Sequence, residues 1–181
     1  RTLAEGFAYQ REYSAFRGQP RGEPSRDLHP SAFVVFLQNH DQIGNRAYGE
    51  RMSMLAEPEA LRAAYALMLL APSVPLLFMG EEFGCTQPFP FFCDFKGELA
   101  RAVTAGRRRE FASFARFREA GIESIPDPND PSTFDSAVLD WNALHQPDPA
   151  AWHACIRTLL KVRRREIVPR LAQLVPKLRL G

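Results

Sequence analysis

Residues 39 to 42 read Asn39-His40-Asp41-Gln42, an amide, an imidazole, a carboxylate and a second amide at consecutive positions. A carboxylate held firmly over a pocket can stabilise a cationic, oxocarbenium-like transition state by its charge alone. An imidazole and an amide beside it are natural partners for sugar hydroxyls. The same residues also allow a plainer reading, in which Asp41 caps the turn that follows and His40 is a satisfied polar residue. Glu81-Glu82 form a second acidic pair. Neighbours on a strand point to opposite faces, so these two do not converge on one bond. Ion pairing with Arg46 or Arg51 is the structural role expected of them, with a substrate contact through one of them as the alternative. Phe89, Phe91, Phe92 and Phe95 could form a wall against sugar rings or simply fill a loop. Asp94 is a binding or capping candidate, and Trp141 and Trp152 read as packing residues.

Elements must place these groups. Phe33-Val34-Val35-Phe36-Leu37-Gln38 is an apolar run of strand character that ends in the polar cluster, and buried parallel strands read this way. Gly44 and Gly49 mark a turn-rich loop. Glu57-Pro58-Glu59 opens a helix, with Leu61, Ala64, Tyr65, Met68 and Leu69 at helical spacing and Pro72 as its stop. Val74 to Met79 is a second apolar strand, followed by Gly80-Glu81-Glu82-Phe83-Gly84. Strand, helix, strand is a βαβ unit, which implies a parallel pair with a right-handed crossover. Both strand ends then face one edge, where α/β folds bind ligands.

The remaining sequence is less regular. Residues 1 to 32 are rich in Gly and Pro and read as loop, with a short helix near Leu3 to Ser14. Thr86 to Phe95 is an aromatic loop, and Gly97 to Phe117 is helical, weakened at Gly106. Ile125 to Pro131 is an exposed extended segment. Asp148-Pro149 starts a helix that buries Trp152, Cys155, Ile156, Leu159, Leu160 and Val162 and ends at Pro169. No internal repeat is visible.

Composition narrows the function classes. The chain has 181 residues, 45% of them hydrophobic and 24% charged, which is a globular composition. A net charge of +2 gives no argument for nucleic acid or an anionic membrane as partner. The arginine runs at Arg107 to Arg109 and Arg163 to Arg165, each followed by Glu, read as solvated helix faces. Cys85, Cys93 and Cys155 are an odd, scattered set, so reduced thiols and a cytoplasmic location are expected rather than a disulfide framework or a zinc site. No apolar run is long enough to span a membrane. An opening at Arg1 without Met suggests a chain that continues upstream.

The string Phe36-Leu37-Gln38-Asn39-His40-Asp41-Gln42-Ile43-Gly44-Asn45-Arg46 resembles the seventh-strand motif of the alpha-amylase superfamily of glycoside hydrolases. Its longer form is similar to the pattern of the maltooligosyltrehalose trehalohydrolase family. Leu76 to Gly84 is similar to that family's eighth-strand motif, and Gly97-Glu98-Leu99, Gly106 to Phe111, Ile125 to Pro128 with Thr133-Phe134, and Leu139-Asp140-Trp141 fit it as well. The match runs from about residue 6 to about residue 168. It implies an α/β fold, namely the C-terminal part of a TIM-type (β/α)8 barrel, with strands 7 and 8, flanking helices and the barrel incomplete. Residues 1–168 would be that barrel portion and residues 169–181 the start of a further domain.

The resemblance also implies roles. Asp41 matches the catalytic carboxylate that orients the glucose ring and stabilises the transition state. His40 matches the histidine bonded to hydroxyls of the same sugar. Asn39 supports the loop or touches substrate, and Gln42, Asn45 and Arg46 contact sugar or brace the loop. Asp94 is retained, while the family pattern has His where Phe95 stands. The implied substrate is maltooligosyl trehalose or a related alpha-glucan, cleaved at the α-1,4 bond next to the terminal trehalose with retention of configuration. A branching enzyme, an amylase or a non-catalytic glucan-binding remnant are the rival readings. No metal or organic cofactor is suggested. The nucleophile and the acid/base belong to earlier strands in this family. Glu5, Glu12, Glu23 and Asp27 lie in unpatterned sequence and match neither, so the chain by itself is expected to be inactive.

Overall fold

The computed structural model describes residues 2–112, 121–171 and 173. In chain order they form helix α1 (Thr2–Glu5), strands β1 (Tyr13–Ser14), β2 (Gln19–Pro20) and β3 (Val34–Val35), and helices α2 (His40–Gly44), α3 (Met52–Leu55) and α4 (Pro58–Leu70). Strand β4 (Val74–Pro75) follows, then helices α5 (Gly97–Phe111), α6 (Pro131–Asp135) and α7 (Pro147–Val162), a π-helical turn at Arg163–Ile167 and helix α8 (Val168–Leu171), with short 3-10 turns in between. The chain divides into two compact units. The first holds residues 1–37, 62–76 and 154–181, and the second holds residues 38–61 and 77–153.

In the first unit β3 and β4 pair in parallel, Val34 opposite Val74 and Val35 opposite Pro75. The strand–helix–strand order read from the sequence therefore yields the expected parallel pair. The strands are much shorter than the apolar runs 33–38 and 74–79. The ladder is carried by Val74 N–H to Phe33 O (2.9 Å) and Leu76 N–H to Val35 O (2.8 Å). Pro75 falls between the two donors, where its missing N–H interrupts nothing on the β3 side. Val34, Val74 and Leu76 are exposed.

Helix α4 buries Leu61, Tyr65, Met68 and Leu69, the face that the spacing predicts. Beyond its C-terminus the Arg163 guanidinium collects three carbonyls, donating from Nη1 to Leu69 O (3.0 Å) and Ala71 O and from Nη2 to Ser73 O (2.7 Å). Arg163 is 7% exposed, so the second arginine run is not a solvated face throughout. Two helical turns after Ile156, its side chain continues the buried stripe of α7 rather than the wet one. Leu160 lies on the other side and is exposed. Pro169 does not end the helix. It sits in the first turn of α8, where a missing N–H is tolerated.

The N-terminal segment differs from the expected helix at Leu3 to Ser14. Helix α1 stops at Glu5, and β1 and β2 form an antiparallel hairpin. Gly18, with φ 65°, closes its turn onto Ser14 O.

The second unit packs Ala47, Phe111 and Ile125 together with Tyr48 against them. Gly106 does not interrupt α5, and the rest of the helix read to Phe117 lies outside the described residues. Residues 125–131 are irregular, as their prolines require, but they are not an exposed segment. Ile125 and Pro128 are fully buried. Their backbone is satisfied locally: Pro128 O accepts from Cys93 N–H at 2.8 Å, and Asp127 Oδ1 accepts from Thr104 Oγ1 at 2.6 Å and from Asn129 N–H at 2.9 Å. Of the expected domain start at 169–181, residues 172 and 174–181 lie outside the described residues.

Candidate active site

The chain leaves β3, passes Gln38, and turns at once into α2. Asn39 is the N-cap, in extended conformation (φ −141°). Its side-chain oxygen accepts from the N–H groups of Asp41 (3.0 Å) and Gln42 (3.3 Å), while Gln42 Oε1 accepts from Asn39 N–H (2.8 Å). This is a reciprocal capping box, and it satisfies three amide donors around the helix start. The cap is therefore Asn39 and not Asp41, which settles the plainer reading of the acid: its carboxylate is not consumed by the turn. Asp41 lies in the first turn with its side chain 73% exposed, and His40 Nε2 stands 3.4 Å from Asp41 Oδ1. The pair presents one carboxylate and one imidazole to solvent from a backbone held by the cap on either side of His40.

A five-residue helix has no stability of its own, and the surrounding chain supplies it. Ile43 is completely buried beneath α2. Gln38 is 2% exposed, and its Oε1 accepts from Met52 N–H at 2.9 Å, closing the loop that carries the cluster onto its own far end. Arg107, 9% exposed, donates from Nη2 to Gly44 O and to Arg46 O (2.8 Å). Arg51, 1% exposed, donates to Gln87 O (2.6 Å) and Met79 O (2.8 Å) and lies over the Phe78 ring, which ties the loop after α2 to the segment 79–87. At Gly49 (φ 67°) a Cβ would stand 2.2 Å from Pro90 N, so only glycine lets these two loops meet.

Other sequence candidates fall into place around this frame. Asn45 is the C-cap, and its N–H returns to Asp41 O at 3.0 Å. The Arg46 guanidinium donates to Glu50 O, a bracing role. Asp94 forms an exposed ion pair with Lys96. Glu81 is buried, and its Oε2 accepts from Phe78 N–H at 2.6 Å, holding the turn between Gly80 and Gly84. Trp152 Nε1 donates to Glu81 O at 2.9 Å, whereas Trp141 is largely exposed and only tilts against Phe83. Phe89 and Phe92 stack edge-on with Phe78 and Phe134 as loop core. Phe91 and Phe95 are exposed, and the Arg107 guanidinium lies 5.7 Å from the Phe91 centroid. Among the described residues no three His, Cys, Asp or Glu side chains converge as metal ligands would.

Sequence reasoning gave Gln38 no role, offered Arg51 only as an ion-pair partner of Glu81 or Glu82, and read Arg107 as part of a solvated face, whereas all three are buried. A signal existed for Arg107: Glu110 and Phe111 follow at i+3 and i+4, which places the arginine on the apolar face of α5.

No protein-family model matches the chain. Among curated proteins it is 41% identical over 177 residues to malto-oligosyltrehalose trehalohydrolase of Rhizobium sp. strain M-11, covering 96% of this chain and 29% of the relative. It is 38% identical over 169 residues to the protein of that name from Deinococcus radiodurans and 40% identical over 142 residues to that from Saccharolobus solfataricus. The chain is a relative of the malto-oligosyltrehalose trehalohydrolases. It spans about 29% of the length of the first of these relatives. A crystal structure of a Salmonella typhimurium protein assigned as an alpha amylase superposes with a TM-score of 0.88 at 50% identity, covering 95% of this chain and 28% of that one. The α/β character of the chain, with a parallel strand pair around α4, agrees with that kinship.

Proposed function

We propose that this chain is part of a longer glycoside hydrolase of the trehalohydrolase type, which cleaves the α-1,4 bond next to the terminal trehalose of maltooligosyl trehalose and retains configuration. The observation that carries the reading is the exposed carboxylate of Asp41 beside His40, outside the helix cap, in a chain 41% identical over 177 residues to a relative named trehalohydrolase. Asp41 acts as transition-state stabiliser and His40 as hydroxyl partner of the same glucosyl unit. Asn39 and Gln42 brace these two, Asn45 and Arg46 hold the far end of the helix, and Asp94 is a peripheral substrate contact. Residues 1–168 supply the last two strands and the helices of a (β/α)8 barrel, and residues 169–181 open the next domain. A retaining mechanism needs a nucleophile and an acid/base about 5–5.5 Å apart. Both come from the remainder of the longer protein.

Asp41→Asn in that protein is expected to lower kcat by about 10³-fold or more while KM changes little, since the lost charge acts on the transition state. A kcat within threefold of the parent would remove Asp41 from the reaction. The Salmonella likeness favours a second reading, an alpha amylase. Product analysis separates the two. Release of free trehalose from maltooligosyl trehalose, with poor turnover of plain maltooligosaccharide, supports the first, and the reverse preference supports the second.

A further inference from the structure

The motif Gly106 to Phe111 has no role in the reading above, yet it contains a buried cation fixed at the C-terminal end of α2. The Arg107 guanidinium lies 4.6 Å from the Phe111 centroid and 5.7 Å from that of Phe91, so an aromatic ring stands near it on each of two elements. Nη1 pairs with Glu110 Oε2 at 3.1 Å, and Nη2 carries the bonds to Gly44 O and Arg46 O. A cation at a helix C-terminus is favoured by the dipole, and hydrogen bonds from an ionised donor are the stronger kind. Asn45 N–H, between those two carbonyls, is bonded to Asp41 O at 3.0 Å. One hydrogen bond therefore separates the carbonyls gripped by Arg107 from the peptide that carries the Asp41 side chain.

We propose that Arg107 is a positioning residue for Asp41: its guanidinium pins the C-terminal carbonyls of α2 and thereby sets where the Asp41 carboxylate stands. This rests on the reading of Asp41 as the transition-state stabiliser. The N-terminal capping box fixes where α2 starts and buried Ile43 seats it, but neither fixes the direction of its C-terminal carbonyls. Arg107 removes that freedom from the other end. Lysine cannot replace it, because an ammonium is a point charge without the planar fork that reaches two carbonyls and lies against two rings at once.

The test uses the longer protein with maltooligosyl trehalose as substrate. Arg107→Lys is expected to lower kcat by about 10- to 100-fold with KM within about threefold, the signature of a misplaced group rather than a lost contact. In an Asp41→Asn background the same change should cause no further loss, because both act through one carboxylate. The Asn45 amide should exchange with deuterium faster in Arg107→Lys. An unchanged kcat, a loss confined to KM, or an equal extra loss on top of Asp41→Asn would each overturn the proposal. If Arg107→Lys does not fold, Glu110→Gln at its more exposed position decides instead: a kcat about threefold lower, absent in the Asp41→Asn background, supports positioning, and an unchanged kcat overturns it. Should Asp41→Asn itself leave the rate near normal, the catalytic reading fails while faster exchange at Asn45 still upholds the tie between Arg107 and α2.

Discussion

At the scale of single residues, side chains that serve the backbone leave Asp41 and His40 facing solvent, where the proposed function needs them. Asn39 spends its oxygen on two amides, and Asn39→Ala is expected to cost about 1 kcal/mol of stability, read as a lowered thermal midpoint of the longer protein. Its effect on the reaction should fall on kcat, because it loosens α2 without touching a substrate. Gly49 is the other sensitive position. Its φ of 67° and the 2.2 Å approach of Pro90 N leave no room for a methyl group. Gly49→Ala should cost roughly 2–4 kcal/mol, visible as a large loss of soluble, cooperatively folded protein. Cys85 illustrates how burial controls chemistry: desolvation pushes its thiol up from the usual value, against the pull of Arg51. Iodoacetamide at neutral pH should leave Cys85 unmodified in the folded protein while Cys93 and Cys155, both less buried, react.

At the scale of elements, buried arginines fasten one segment to the next. Arg163 satisfies the carbonyls at the end of α4 and in the turn into β4, so Arg163→Met would orphan three acceptors. The expected cost is about 3 kcal/mol, measured by denaturant unfolding. Asp127 fastens the buried segment 125–131 to α5. Its carboxyl is held below the ordinary range first by the Thr104 hydroxyl and then by the Asn129 amide. A depressed folded pKa contributes stability that is complete above the unfolded value of about 3.9 and is lost as pH falls through that value towards the folded one. Asp127→Asn should therefore flatten the loss of stability below about pH 4 and leave the slope at neutral pH unchanged. The helices α4 and α7 were legible from spacing, because a helix facing a core must repeat its apolar residues. The lengths of β3 and β4 were not, since ladder length depends on what lies alongside, and an apolar run reads the same with or without a partner.

At the scale of the whole molecule, β3 and β4 form a two-stranded sheet with Val34, Val74 and Leu76 exposed. Such open, apolar edges invite pairing with another strand. Expressed by itself, the 181-residue chain should melt broadly, bind a hydrophobic dye and aggregate, and it should show no turnover of maltooligosyl trehalose. A sharp two-state melt of a monomer would contradict the first expectation and measurable hydrolysis the second. Supplying the remainder of the longer protein should restore both cooperativity and activity.

Local chemistry was decided by the order of residues alone. The polar cluster after an apolar run, the helix between two strands and the string that resembles the trehalohydrolase pattern follow from neighbours a few positions apart, where spacing and side-chain type suffice. The tertiary structure decided which residue caps α2, which arginines are buried, and that the carboxylate at position 41 stands exposed outside the cap. Those outcomes depend on partners up to 94 residues away, as between Leu69 and Arg163. An arginine run looks solvated until the carbonyls and rings that receive it are known, because only a folded chain brings an acceptor to a donor across that distance.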